Sequence, residues 1–185
     1  LGAVQLAAVL RERWPLALVD AYALPGAGLA WRPDGRAHLG AAVDEVLAAV
    51  DAARAADPRS LAAAVVAYTP FHRPPHRDDL LAALLAALRE RLGPGALLLL
   101  ADCYQSGQHY VEVDGDAVLA AYPEVDAWVK YEAERTVPAL LAAHLERGER
   151  PRGLHPGEPP PAHDALPHPA RGPRAHPPQL PVPPP

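Results

Sequence analysis

The run ALLLLADCY, Ala96 to Tyr104, decides how the rest of the chain is arranged. Six consecutive apolar residues give way without a break to Asp102, Cys103 and Tyr104. A strand with one face in water alternates apolar and polar residues; an unbroken apolar run of this length is what a strand covered on both faces requires. Gly93-Pro94-Gly95 stands just before it as a stop for whatever precedes. The polar stretch after it, ADCYQSGQHYVEVDG (Ala101–Gly115), is longer and richer in hydrogen-bonding groups than a plain connection needs. Such a loop at the end of a buried strand is expected to line a ligand site.

Outward from this run, apolar strands alternate with amphipathic helices. LGAVQLAAVLRERW has Val4, Leu6, Val9, Leu10 and Trp14 at helical spacing, and Pro15 ends it. LALVDAYAL (Leu16–Leu24) is predicted as a buried strand, AHLGAAVDEVLAAVDAARAADP (Ala37–Pro58) as a helix, and LAAAVVAYTPF (Leu61–Phe71) as a strand. RDDLLAALLAALRERLGPG (Arg77–Gly95) is the next helix, with Asp78 and Asp79 in its first turn. After the ALLLLADCY strand come a short helix in DGDAVLAAYPEV (Asp114–Val125), a strand in AWVKYEAE (Ala127–Glu134) and a last helix in RTVPALLAAHLERGE (Arg135–Glu149). Alternation of this kind predicts an α/β fold, a doubly wound parallel sheet of flavodoxin-like, Rossmann-like type. The opening helix implies a strand before it, so the first strand is expected to be missing and the chain to be a fragment.

From Pro151 to Pro185 the chain holds 14 of its 24 prolines and no periodic apolar face. The expected organisation is an α/β domain over residues 1–147 and a Pro-rich disordered tail over 148–185. Four of the nine histidines lie in the tail, at irregular spacing that favours disorder over a metal site.

Composition narrows the function. Half of the 185 residues are hydrophobic and only 5% aromatic, so the core must be Ala, Leu and Val. A net charge of −5 gives no reason to expect nucleic acid. No apolar run is long enough for a membrane span, and no secretory signal is visible. One cysteine, Cys103, can build neither a disulfide framework nor a thiolate cluster. A reducing, cytoplasmic setting is the default expectation.

In open parallel sheets ligands bind beyond the carboxyl ends of the strands. The candidate positions are therefore Thr69 and Pro70, then Ala101, Asp102, Tyr104, Gln105, Ser106, Gly107 and His109, then Tyr131 and Glu132. Asp102 or His109 could serve as acid, base or axial ligand, or simply satisfy neighbours within an ordered loop. His72 and His76 are four apart with two prolines between them, which removes the shared helix face a zinc pair needs. Cys103 directly follows a buried strand and reads as a packed small residue rather than a nucleophile. Glu132 and Glu134 could equally be carboxylates at a helix N-terminus. The glycines after Tyr22 do not form G-x-G-x-x-G, so a dinucleotide fingerprint is absent.

The stretch PEVDAWVKYEAERTVPALLAAH resembles the closing strand and helix of the cobalamin-binding domain at the front of cobalamin-dependent radical S-adenosylmethionine (SAM) enzymes. That family's pattern reads P-x-V-D-x-V-V-x-G-E-G-E-x-T-x-P-x-L. Pro123, Val125, Asp126, Val129, Glu132, Glu134, Thr136, Pro138 and Leu140 match it. The resemblance extends over residues 1 to 147. It implies a cobalamin-binding module of a methyltransferase that is not catalytic alone, with cobalamin as cofactor and a radical SAM domain as partner. The iron–sulfur cluster and S-adenosylmethionine would belong to that other domain, since no C-x-x-x-C-x-x-C occurs here. Four departures are visible. Ala101 and Asp102 replace two glycines, YEAE replaces GEGE, the loop after Cys103 is longer, and no Asp-x-His-x-x-Gly supplies an axial histidine. The alternative is a flavodoxin-like interaction or receiver-type domain that binds no corrinoid. Thr69-Pro70 stands where a receiver wants its phosphorylatable aspartate.

Overall fold

The computed structural model describes residues 2–56, 61–68, 77–103, 114–159 and 166–167. Four parallel strands form the central sheet, in the spatial order β3 (Ala63–Ala67), β4 (Leu97–Ala101), β5 (Ala127–Lys130), β6 (Gly153–Pro156). A separate antiparallel hairpin pairs β1 (Gly28–Trp31) with β2 (Ala37–Gly40). The helices are α1 (Gly2–Arg11), α2 (Val43–Ala56), α3 (Asp79–Leu92), α4 (Gly115–Ala121) and α5 (Thr136–Arg147).

The four leucines of β4 show why this is a doubly covered sheet. Successive side chains in a strand point to opposite faces. Leu97 and Leu99 join α1 and α5 in one core, built with Leu6, Leu10, Val129, Val137 and Leu141. Leu98 and Leu100 join α2, α3 and α4 in the other, with Leu47, Leu85, Val118, Tyr122 and Trp128. All four are fully buried, and burial stabilises by roughly 1.5–3 kcal/mol for each such side chain. The fold is thus α/β, a parallel sheet with two helices on one face and three on the other, consistent with a flavodoxin-like or Rossmann-like architecture. Among the described residues, no helix is long and apolar enough to cross a membrane.

Local chemistry sets the element ends. Asp78 caps α3: its side chain accepts from the backbone N–H of Leu80 and of Leu81, both at 2.9 Å. Gly148 ends α5 in the left-handed region at φ 68°, its N–H returning to the carbonyls of Ala143 and His144.

Three sequence expectations are corrected. Leu16–Leu24 is not a strand. Asp20 makes a local turn instead, accepting from Tyr22 N at 3.0 Å, and Leu16 and Leu18 stay exposed. The helix predicted from Ala37 begins at Val43, because Ala37–Gly40 pairs with Gly28–Trp31. The signal was the turn Pro33-Asp34-Gly35, with Gly35 at φ 78° and Asp34 accepting from Arg36 N at 3.0 Å. In the segment expected to be a disordered tail, Gly153–Pro156 is a parallel edge strand in register with Ala127–Lys130.

That edge strand is held by charge. Asp126, buried at the start of β5, pairs with Arg89 at 2.5 Å, Arg150 at 2.8 Å and Arg152 at 3.0 Å. It also accepts from Leu98 N at 2.9 Å. Arg89 reaches the carbonyls of Glu124 and Ala96, and Arg150 that of Pro94. The start of β4, the start of β5 and the entry to β6 are therefore tied at one carboxylate. Burial alone would raise the pKa of Asp126; the Leu98 N–H and then Arg89 and Arg150 outweigh it and hold the group below 3.8.

Candidate ligand-binding rim

The carboxyl ends of β3, β4 and β5 deliver Tyr68, Asp102–Cys103 and Lys130–Tyr131–Glu132 to one rim. The register Ala67↔Ala101↔Val129 places these groups side by side. Asp102 is the centre of the cluster. It is only 2% exposed, and its carboxylate accepts from Trp128 Nε1 at 3.0 Å and from Tyr131 N at 3.4 Å. Its own backbone N–H donates to Val129 O at 3.1 Å. Tyr68 completes the set by hydrogen-bonding to Asp102. Burial and the neighbouring Asp102 charge push its hydroxyl far above the ordinary range, so it remains a protonated donor. Lys130 and Glu132 are also buried, and the Lys130 ammonium lies 4.8 Å from the centre of the Tyr131 ring.

Backbone strain collects at the same place. Cys103 (φ 55°) and Tyr131 (φ 73°) are the two described non-glycine residues at positive φ, one just past β4 and one just past β5. Residues with a Cβ enter this region at a cost, and such outliers gather at ligand sites and switches. The turns are also crowded. A Cβ on Gly157 would fall 2.0 Å from Glu132 O, and one on Gly2 would fall 2.0 Å from Cys103 O. These glycines let the chain after β6 and the start of α1 close against the rim.

Burial, with Glu134 and Asp102 nearby, pushes the Cys103 thiol up to about 12. It is therefore a neutral thiol near pH 7, not a thiolate nucleophile. Glu134 accepts from Ala133 N at 3.1 Å, while the N-cap of α5, Arg135, makes no side-chain capping bond. Among the described residues, no three His, Cys, Asp or Glu side chains converge as a metal-ligand group.

Of the residues singled out from sequence, Ala101, Asp102, Tyr131 and Glu132 meet at this rim. Ala101 is wholly buried as the last residue of β4. Thr69, Pro70, Tyr104, Gln105, Ser106, Gly107 and His109 lie outside the described residues. Sequence reasoning missed Tyr68, Trp128 and Lys130. A tryptophan between small residues in a short strand was the available signal for Trp128. No family model, curated protein or solved structure matches this chain.

Proposed function

We propose that this chain is the corrinoid-holding module of a cobalamin-dependent radical SAM enzyme, a methyltransferase whose iron–sulfur cluster and S-adenosylmethionine sit in a separate domain. One observation carries the reading. In the pattern P-x-V-D-x-V-V-x-G-E-G-E-x-T-x-P-x-L, the first glycine falls on Tyr131, and Tyr131 takes a glycine-like φ of 73°. The backbone thus keeps the conformation that the pattern's glycine permits, although the side chain has changed. The second glycine falls on Ala133, the smallest substitute, which is wholly buried. The pattern's aspartate falls on Asp126, whose buried ion pairs give it a structural role.

The character of the described rim supports this reading. Ala101 and Ala133 add little bulk, Asp102 sets the turn at Tyr131 before any ligand arrives, and half-buried Tyr131 offers a ring and a phenol. Tyr131, with the Thr69–Pro70 and Tyr104–His109 segments, would hold the group over the strand ends. Bound there, cobalamin would supply a cobalt-held methyl group. The chain itself would provide position, hydrogen bonds and shelter from water.

The test is binding of hydroxocobalamin. After incubation and desalting, the folded chain is expected to retain the corrinoid's visible bands, and Tyr131→Asp is expected to weaken retention at least tenfold. A chain with intact near-ultraviolet circular dichroism that passes through desalting colourless would overturn the proposal.

A further inference from the structure

We propose that the cleft between the β1–β2 hairpin and the starts of α2 and α3 binds a small monocarboxylate with an apolar body. The cleft shares no residue with the Asp102 cluster, so this does not rest on the corrinoid reading. Its space measures about 490 Å³, within the range of small-molecule sites. Val43, Leu47 and Leu80 give it apolar walls, and Arg32, His38 and Asp44 are its polar groups.

The hairpin presents its two faces the wrong way round for packing alone. Successive side chains of a strand point to opposite faces. Leu29 and Trp31, with Leu39 paired to Leu29, form one face, and it lies in solvent: Trp31 is 74% exposed. Ala30 and Arg32, with His38 paired to Ala30, form the other, which lines the cleft. A strand pair packed only for stability turns its apolar side inward. A polar side set over Leu47 and Leu80 suits a ligand that is apolar at one end and charged at the other. Arg32 supplies the matching charge. Its side chain is only 21% exposed, and its one polar contact among the described residues is Asp34 at 3.5 Å. Asp34 is already engaged by Arg36, whose Nε and Nη2 donate to it at 2.9 and 2.7 Å. A mostly buried cation with so distant a partner keeps N–H groups free to fork onto a carboxylate. The turn does not need that guanidinium, because Arg32 N donates to Arg36 O at 2.8 Å and Arg32 O accepts from Gly35 N at 3.0 Å. His38 is fixed as part of the wall, its Nε2 donating to Ala41 O at 3.0 Å. Asp44 limits the charge: a second negative charge on the ligand would face its carboxylate, so a carboxylate suits the cleft better than a phosphate monoester.

Calorimetric titration of the full chain with octanoate, octanol and octyl phosphate tests this. Octanoate is expected to bind more tightly than either of the others, by roughly tenfold or more. Arg32→Gln should weaken octanoate by a similar factor, leave octanol unchanged and not move the thermal melt. Ala30→Phe sets a bulky side chain into the cleft from an exposed strand position and should block octanoate and octanol alike; it decides the matter if the Arg32 variant fails to fold. A folded chain that gives no heat of binding with octanoate overturns the proposal. So does octanoate binding that is no tighter than that of octanol, or that neither substitution changes.

Discussion

Tyr131 holds a bulky side chain at φ 73°, where the Cβ crowds the neighbouring carbonyl. What keeps it there is Asp102, which accepts the Tyr131 N–H while also engaging Trp128 and Tyr68. Backbone strain at one residue is thus offset by hydrogen bonds to a buried carboxylate. Tyr131→Gly relieves about 1 kcal/mol of strain but gives back a similar amount in unfolded-chain entropy. Its stability should stay within about 1 kcal/mol of the parent. Tyr131→Ile, β-branched and ill-suited to positive φ, should cost about 2 kcal/mol or more. Urea unfolding followed by tryptophan fluorescence separates the two; equal losses would show that strain is not the governing term. At this scale Asp102 was legible, because a charged residue directly after an apolar strand falls at the strand's carboxyl end. Its partners were not, because Trp128 lies 26 residues away and reaches Asp102 only through the β4–β5 register.

At the scale of elements, β6 shows how a strand with little apolar surface is kept in a sheet. Its burial alternates between half-buried and exposed, and Leu154 remains 43% exposed. The Arg150 and Arg152 pairs with Asp126, and the Gly157 N–H to Lys130 O at 2.6 Å, do what a core would otherwise do. Because the pKa of Asp126 is lowered on folding, its stabilisation is fully present above the ordinary carboxylate range and is lost as pH falls through the folded value. Stability should therefore be level above about pH 5 and decline steadily below about pH 4. Asp126→Asn should lower stability near neutral pH and flatten that acid limb, as read by urea midpoints across the pH series. An unchanged acid limb would assign the decline to other carboxylates. The sequence showed Asp126 as a matched position of the resemblance but not its three arginines, because Arg150 and Arg152 lay in a segment whose proline content reads as disorder.

For the whole molecule, the two cores on either side of the sheet carry the stability, and the ordered unit runs past the boundary that composition suggests. A chain ending at residue 148 lacks β6 and two of the three arginines on Asp126. It should be less stable by about 3 kcal/mol or more, since a buried carboxylate loses partners and β5 loses its neighbour. A chain ending at residue 159 keeps both and should melt like the parent; thermal denaturation of the pair makes the comparison, and identical melting of both truncations would refute it. The sequence by itself determined the α/β class, the parallel central strands and the helices that cover them, because an unbroken apolar strand and an amphipathic helix announce their burial in local pattern alone. It also put every candidate site position at the strand ends. Only the tertiary structure decided that Leu16–Leu24 stays out of the sheet, that Gly153–Pro156 enters it, and that Asp102 meets Tyr68, Trp128 and Tyr131. These depend on which edge is open, on strand register and on charges distant in sequence, and no local window of residues contains that information.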